Sequence, residues 1–305
     1  MRISVIIPVF NGERTIRAAI ESALAQDFEG SEVIVVDDGS TDSTARLLAG
    51  YGARIKVVTQ SNRGVCAARN TCVAAASGKY LAFLDADDEF MPGKLAKSYR
   101  ALEQNPGAAL AFSDLVSLDA HGNEIDVPVI GRAPTMDEML SRGWPILPTG
   151  AVMPRAVFDR CGGFCEDFKQ PGGDDPYMWL LAREQGEFIY IAERLAIHRS
   201  GSALQLAEKY RAGIPIFKRL VRARYGSRAD GLIRDTHHFM SAMYIGGAMN
   251  LLDEGEIRDA LAAWLKAARY RPAMLFDASM LARLFVARNL RRLAKGIGLA
   301  VTRRA

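Results

Sequence analysis

Three carboxylates fall within four residues at Asp85-Ala86-Asp87-Asp88, directly behind the apolar run Tyr80-Leu81-Ala82-Phe83-Leu84. A run that apolar reads as a buried strand, and mutually repelling charges at its end call for something positive among them. Alternate side chains of an extended chain share a face, so Asp85 and Asp87 are expected to point together toward one hard cation. The carboxyl edge of an open α/β sheet is where such folds bind ligands. Two further acidic pairs stand at element ends: Asp37-Asp38 closes the apolar run Val33-Ile34-Val35-Val36, and Asp174-Asp175 opens a helical pattern at Pro176.

The elements that must position these groups follow from periodicity. Residues 3–9 are a strand, and Ile16, Ala19, Ile20, Ala23 and Leu24 recur at helical spacing behind Asn11 as a cap. After the strand at 33–36, Ser40 or Thr41 is expected to cap a helix reaching Leu47-Leu48. A strand over 54–59, a helix over 65–76 and the strand 80–84 follow, and Pro92 leads a helix over 93–104. Strand-helix alternation of this kind implies a parallel sheet covered on both faces, an α/β fold. Beyond it lie a strand over 108–118, a turn at His121-Gly122-Asn123 and a loop-rich stretch marked by Pro128, Pro134, Pro145 and Pro148, suited to shaping a pocket. A helix from Asp174 to Gln185 and a short strand over 187–191 end this part. After Ser202 the pattern is helical. In 257–268 the apolar positions Ile257, Ala260, Leu261, Trp264, Leu265 and Ala268 form one stripe. Gly255 before it and Pro272 after it frame a single helical unit, far short of a repeat array.

At 305 residues, with 49% hydrophobic and 24% charged residues, the chain is large enough for one sizeable domain and an appendage. The formal net charge is +4, and the seven basic residues after Asp277, met by no acidic one, account for more than all of it. The body is therefore net negative, which argues against a nucleic-acid partner. The four cysteines, Cys66, Cys72, Cys161 and Cys165, show no zinc-type spacing, and Met1-Arg2 runs straight into a strand without a secretory signal. Buried, reduced thiols in a cytoplasmic protein are expected, with no membrane span.

Four segments occur in order: Val5-Ile6-Ile7-Pro8-Val9-Phe10-Asn11, Val35-Val36-Asp37-Asp38-Gly39-Ser40-Thr41-Asp42, Ala68-Arg69-Asn70 with Gly78-Lys79-Tyr80, and Leu84-Asp85-Ala86-Asp87-Asp88. Together they resemble the family 2 inverting glycosyltransferases. The resemblance covers about residues 1–200. It implies a GT-A fold, a Rossmann-like nucleotide-diphospho-sugar transferase sheet, over residues 1–202. The nucleotide-sugar half would lie at about 1–105 and the acceptor half at about 106–202; the region over 203–305, beyond the resemblance, is helical by its own pattern. It implies that Pro8, Val9 and Phe10 line the nucleotide slot, that Asp38, with Asp37 as a second, reads the N3–H of a uracil ring, and that Arg69 approaches the base or diphosphate. Asp85, Ala86 and Asp87 would meet the donor, with Asp85, Asp87 and Asp88 holding Mg²⁺ or Mn²⁺ against a diphosphate leaving group.

An inverting transfer needs a general base opposite the leaving group. The family's acidic pair is matched by Asp174-Asp175, so Asp175 is the expected base and Asp174 its neighbour. The match departs from the usual Glu-Asp, and Pro171-Gly172-Gly173 precedes it. The family's late His-x-x-Ser feature falls on His198, read as a metal ligand, a diphosphate contact or a structural histidine. Gly162-Gly163-Phe164 is similar to the family's turn ahead of the base.

The main reading is metal-dependent transfer of a sugar, UDP-linked, to a carbohydrate or glycolipid hydroxyl of a cell-surface polymer. A non-catalytic nucleotide-sugar sensor or scaffold is the alternative. A sugar-1-phosphate nucleotidyltransferase lacks support, because Pro8-Val9-Phe10-Asn11 stands where a glycine-rich phosphate loop would be. In 286–297, Val286, Leu290, Leu293 and Ile297 share one helical face and Arg288, Arg291, Arg292 and Lys295 the other. This suits either an anionic membrane surface at the inner face of the plasma membrane or packing on the body. Deleting 278–305 is expected to reduce sedimentation with anionic liposomes while sparing UDP binding. Unchanged sedimentation refutes the membrane reading.

Overall fold

The computed structural model describes residues 1–119, 121–126, 130–143, 145–170, 172–254 and 256–273. The expectations for Pro128, Pro171, Gly255 and the helix over 286–297 fall outside these residues. The chain forms two compact units, one of residues 1–201 and 212–232, the other of 202–211 and 233 onward.

The first unit opens with β1 (Ile3–Val9), α1 (Ile16–Leu24), β2 (Ser31–Asp37), α2 (Thr44–Ala49), β3 (Lys56–Thr59), α3 (Val65–Ala75) and β4 (Tyr80–Phe83). It continues through β5 (Glu89–Phe90), α4 (Lys94–Gln104), β6 (Ala108–Leu118), β7 (Glu124–Ile125) and α5 (Met136–Ser141). After these come β8 (Ala151–Pro154), α6 (Arg155–Cys161), α7 (Asp174–Gln185) and β9 (Glu187–Arg199). The later helices are α8 (Ala203–Arg211), α9 (Gly213–Tyr225), α10 (Asp230–Asp253) and α11 (Ile257–Tyr270).

The strands join one sheet in the order β3-β2-β1-β4-β8-β6-β9-β5, with β7 on β6. β1 pairs in parallel with both β2 and β4, and β2 with β3, because each connection between them carries a helix. β8 enters antiparallel between β4 and β6, while β9 returns parallel to β6. Every residue of β1 is buried, as are Val33–Asp37 of β2, as a sheet covered on both faces requires. Thus the ends of β1, β2 and β4 come out on one edge, which is where the acidic segments begin.

Two expected caps are replaced by tertiary bonds. Helix α1 starts after Thr15 without a side-chain cap, and Asn11 instead adopts a positive φ of 51°. Its N–H donates to Ser40 Oγ at 2.9 Å and its Oδ1 accepts from Thr41 N–H at 2.8 Å. Ser40 and Thr41 are therefore spent on this loop pairing, and α2 starts after Ser43. Pro92 stays ahead of α4, which begins at Lys94. The short strand expected over 187–191 extends to Arg199, since β6 offers it a partner along almost its whole length. β5, β7, β8, α5 and α6 had no periodic signal of their own. Cys66 and Cys72 are buried, but Cys161 and Cys165 are only partly so, which corrects the expectation for the latter pair.

In the second unit, α11 buries Ala260, Ala263, Trp264 and Ala267, and Leu261 and Leu265 are exposed. The stripe expected from sequence is thus rotated: Trp264 sets the buried face, and small alanines flank it. Among the described residues no helix is long and apolar enough to cross a membrane.

Gly78 shows how tightly the sheet edge is built. Its N–H donates to Ser4 Oγ at 2.8 Å, and a Cβ there would stand 2.5 Å from the Ser4 backbone nitrogen. Gly78→Ala is expected to destabilise the chain by about 2 kcal/mol, read as a lower urea midpoint.

Candidate active site

Strand β4 stops at Phe83, and the acidic segment is a turn closed by Asp88 N–H donating to the Asp85 carbonyl at 3.1 Å. The strand alternation expected to align Asp85 with Asp87 therefore does not operate; the turn disposes each carboxylate differently. Asp85 is partly buried and receives Arg69 Nη2 at 2.7 Å. Ala86 is partly buried and Asp87 is exposed. Asp88, only 1% exposed, is used inside the protein. Thr149 Oγ1 donates to its Oδ2 at 2.5 Å and Arg199 N–H to its Oδ1 at 3.0 Å. His198 Nδ1 lies 3.2 Å from Oδ1. Asp88 thus staples the turn to the end of β9.

Burial by itself would lower the pKa of His198, but the hydrogen bond and charge of Asp88, with the charges of Asp85 and Asp87, raise it above the ordinary histidine value. The three acids therefore create a strongly negative spot at this imidazole. Among the described residues no three Asp, Glu, His or Cys side chains stand close enough, as they lie, to hold an ion. The donor chemistry nonetheless suits a hard divalent cation: Asp85 and Asp87 bring oxygens into the same negative field, with the Nε2 side of His198 facing away from Asp88. Asp88, from the expected ligand set, has both carboxylate oxygens engaged by Thr149, Arg199 and His198.

Arg69, on α3, is 4% exposed, buried between the acidic segments. Nη1 donates to Asp174 Oδ2 at 2.9 Å and Nη2 to Asp85 Oδ1 at 2.7 Å, while the guanidinium lies 5.0 Å from the Phe164 ring centroid. Desolvation works against its charge, and Asp85 and Asp174 more than offset this, raising its pKa. Its neighbour Asn70 explains the rest of the motif. Asn70 Nδ2 donates to the Phe164 carbonyl at 2.9 Å and Oδ1 accepts from Phe164 N–H at 2.9 Å. This clamps the turn at Gly163, whose φ of +80° a side chain would strain.

Helix α7 begins at Asp174, after Gly173 in a left-handed conformation with φ 109°. Asp174 is buried, accepting from Gly172 N–H at 3.0 Å as well as from Arg69. Asp175 is the next residue, partly accessible. Desolvation and then the charge of Asp174 push its pKa well above the usual aspartate range, and Arg69 only partly offsets them. Burial and the neighbouring acid together thus raise the proton affinity of Asp175.

The other acidic pair closes β2. Asp37 Oδ1 accepts from Ser40 N–H at 2.9 Å. Asp38 accepts from Gln60 Nε2 at 2.7 Å, Arg63 N–H at 2.9 Å and Gly64 N–H at 2.8 Å. A carboxylate has about four acceptor positions, so one remains for a ligand. Pro8 and Val9, at the end of β1, are buried, and Phe10 just after it is 50% exposed. Thr149 and Gln60 were not singled out in the sequence. Each lies in a stretch without periodicity and reaches its partner only through the fold. Gln60 is fixed in turn by Thr71 Oγ1 at 2.7 Å.

A curled mixed sheet with acidic turns on the edge shared by β1, β2 and β4, and a carboxylate pair opening a helix joined to them by Arg69, is the arrangement of a GT-A fold. The family model for glycosyl transferase family 2 matches residues 4–160, and the chain belongs to that family. An uncharacterized glycosyltransferase of Nostoc sp., alr2836, is 36% identical over 87% of this chain and 89% of its own length. Other curated relatives align over only 68% down to 15% of their own length. Among solved structures, residues 1–349 of S. aureus TarS in complex with UDP-GlcNAc superpose with a TM-score of 0.55 at 17% identity, over 99% of this chain and 93% of that one. The Pyrobaculum calidifontis mannosyltransferase PcManGT in complex with GDP-Man and Mn²⁺ gives 0.55 at 19%, over 94% and 85%. At these identities the structural likeness speaks for the fold.

Arg69→Met is expected to cost about 3 kcal/mol or more in urea unfolding at pH 7, because it strands Asp174 and Asp85 without their counter-charge. Little change would mean that the two carboxylates find other partners.

Proposed function

We propose that the chain transfers a sugar from a nucleoside diphosphate, UDP in the first instance, to a hydroxyl of a carbohydrate or glycolipid acceptor. The reaction would be a single inverting displacement requiring Mg²⁺ or Mn²⁺. The observation that carries this reading is Arg69, which ties the turn bearing Asp85 to the helix start bearing Asp174 and Asp175. One connected site then has a cation-attracting side and a proton-accepting side. The donor complexes of TarS and PcManGT, on the same fold, support a nucleotide-sugar donor.

In this reading the open acceptor position of Asp38 takes the imide N–H of the base, with Asp37 shaping the turn beside it. Phe10 covers the ring, over Pro8 and Val9. Asp85, Asp87 and His198 would hold the divalent ion, and Asp88 orients His198. When bound, that ion would neutralise charge gathering on the diphosphate as the glycosyl bond breaks. Asp175 takes the proton from the attacking hydroxyl; its raised proton affinity suits a base better than an ordinary aspartate. Asp174, locked by Arg69 and Gly172, holds Asp175 in place and supplies the neighbouring charge. The basic tail over 286–297, outside the described residues, would suit a lipid-linked acceptor at an anionic membrane.

Asp175→Asn is expected to lower transfer by about 10²- to 10⁴-fold while leaving metal-dependent UDP binding near its native value. In the native chain the base must be unprotonated. Activity should therefore fall as pH drops through a limb lying above the usual aspartate value of about 4. Full transfer by the Asn variant, or native activity that persists after exhaustive chelation, overturns the assignment.

A further inference from the structure

Lysine is among the residues least often fully buried, and an interior ammonium ordinarily has a carboxylate beside it. Lys94, the first residue of α4, is 0% exposed and forms no ion pair among the described residues. Its Nζ donates to the Gly150 carbonyl at 2.6 Å and to Ser113 Oγ on β6 at 3.1 Å. Burial lowers its pKa to about 7, so the group is held at a cost that methionine or leucine would avoid. A filler of space would not need an amine here.

What the amine holds is the short 3-10 turn Pro148–Gly150. Gly150 already lies so close to β6 that a Cβ would stand 3.1 Å from the Ser113 carbonyl. Its neighbour Thr149, also fully buried, is the residue on which the acidic turn rests. Thr149 Oγ1 donates to Asp88 Oδ2 at 2.5 Å and accepts the Asp85 N–H at 3.2 Å. An unbroken chain of bonds therefore runs from Lys94 through the backbone at 149–150 to both ends of the Asp85–Asp88 turn.

We propose that Lys94 is a positioning residue for the acidic turn, fixing the Pro148–Gly150 backbone so that the Thr149 hydroxyl sets Asp85 and Asp88. The proposal rests on the reading of that turn as the donor-phosphate side of the site. Its action is through hydrogen bonding: burial accounts for its lowered proton affinity, and its bonds lead to Asp88 by way of the Gly150 carbonyl and Thr149.

The test uses the full chain as native protein, Lys94→Met, Lys94→Gln and Ser113→Ala. Hydrogen exchange followed by mass spectrometry is expected to show about tenfold faster exchange of the Asp85 and Asp88 amides in Lys94→Met. Peptides spanning Asn70 and Phe164 should not change. Lys94→Gln, which keeps an N–H donor, should recover part of the protection, and Ser113→Ala should give a smaller change in the same segment. UDP binding by calorimetry should weaken about tenfold with Mn²⁺ present and stay native without it, a split that general loss of stability would not produce. Native exchange over 84–90 in a folded Lys94→Met overturns the proposal. If that variant does not fold, native exchange in Ser113→Ala does so. Exchange changes as described in a chain that neither binds UDP nor transfers sugar would uphold Lys94 and refute the functional reading instead.

Discussion

A guanidinium buried between carboxylates from two different elements organises this site. Arg69 leaves water almost completely, and the loss is tolerable only because Asp85 and Asp174 reach it from opposite sides at ion-pair distance. Neither acid is placed by its own segment alone. Asp85 sits in a turn after β4 and Asp174 in the first turn of α7, and the cation fixes one relative to the other. Buried ion pairs of this kind contribute little net stability compared with an apolar replacement, but they penalise any arrangement in which a partner is missing. The gain is in geometry.

The same logic extends outward through hydrogen bonds of matched polarity. Asn70, one residue beyond Arg69, clamps the Phe164 backbone, so a single turn of α3 orders both the acidic groups and the loop ahead of them. Thr149 supports the Asp85–Asp88 turn from β8's side of the sheet, and Asp88 passes that support to β9 through the Arg199 amide. The outcome is a division of labour among chemically identical side chains. Asp88 and Asp174 are consumed in holding backbone and Asp38 is largely so, whereas Asp87 and Asp175 keep access to solvent. Environment separates them: each consumed acid is buried with two or more donors around it.

That division was not legible in the sequence, although its setting was. The apolar runs at 3–9, 33–36 and 80–84 announced parallel buried strands, since no other element explains uninterrupted burial followed by turn residues and a helical period. The acidic turns at their ends and the order of the motifs then gave the family and the edge of the sheet that carries the site. By contrast, Asn11 and Ser40 read as helix caps because their types favour caps, yet they bond to each other across the loop. Leu261 and Leu265 read as core, yet both are exposed while Ala263 and Ala267 are buried beside Trp264.

Local order along the chain therefore determined which residues form strands, where the charged turns fall and which chemistry they suit, because those depend on periodicity and on neighbours in sequence. Only the tertiary structure decided which of the carboxylates hold backbone and which face solvent. The choice between a ligand, a staple and a base is made by donors such as Thr149, Gln60 and Arg69. These lie tens of residues away, and the folded sheet brings them within hydrogen-bond reach.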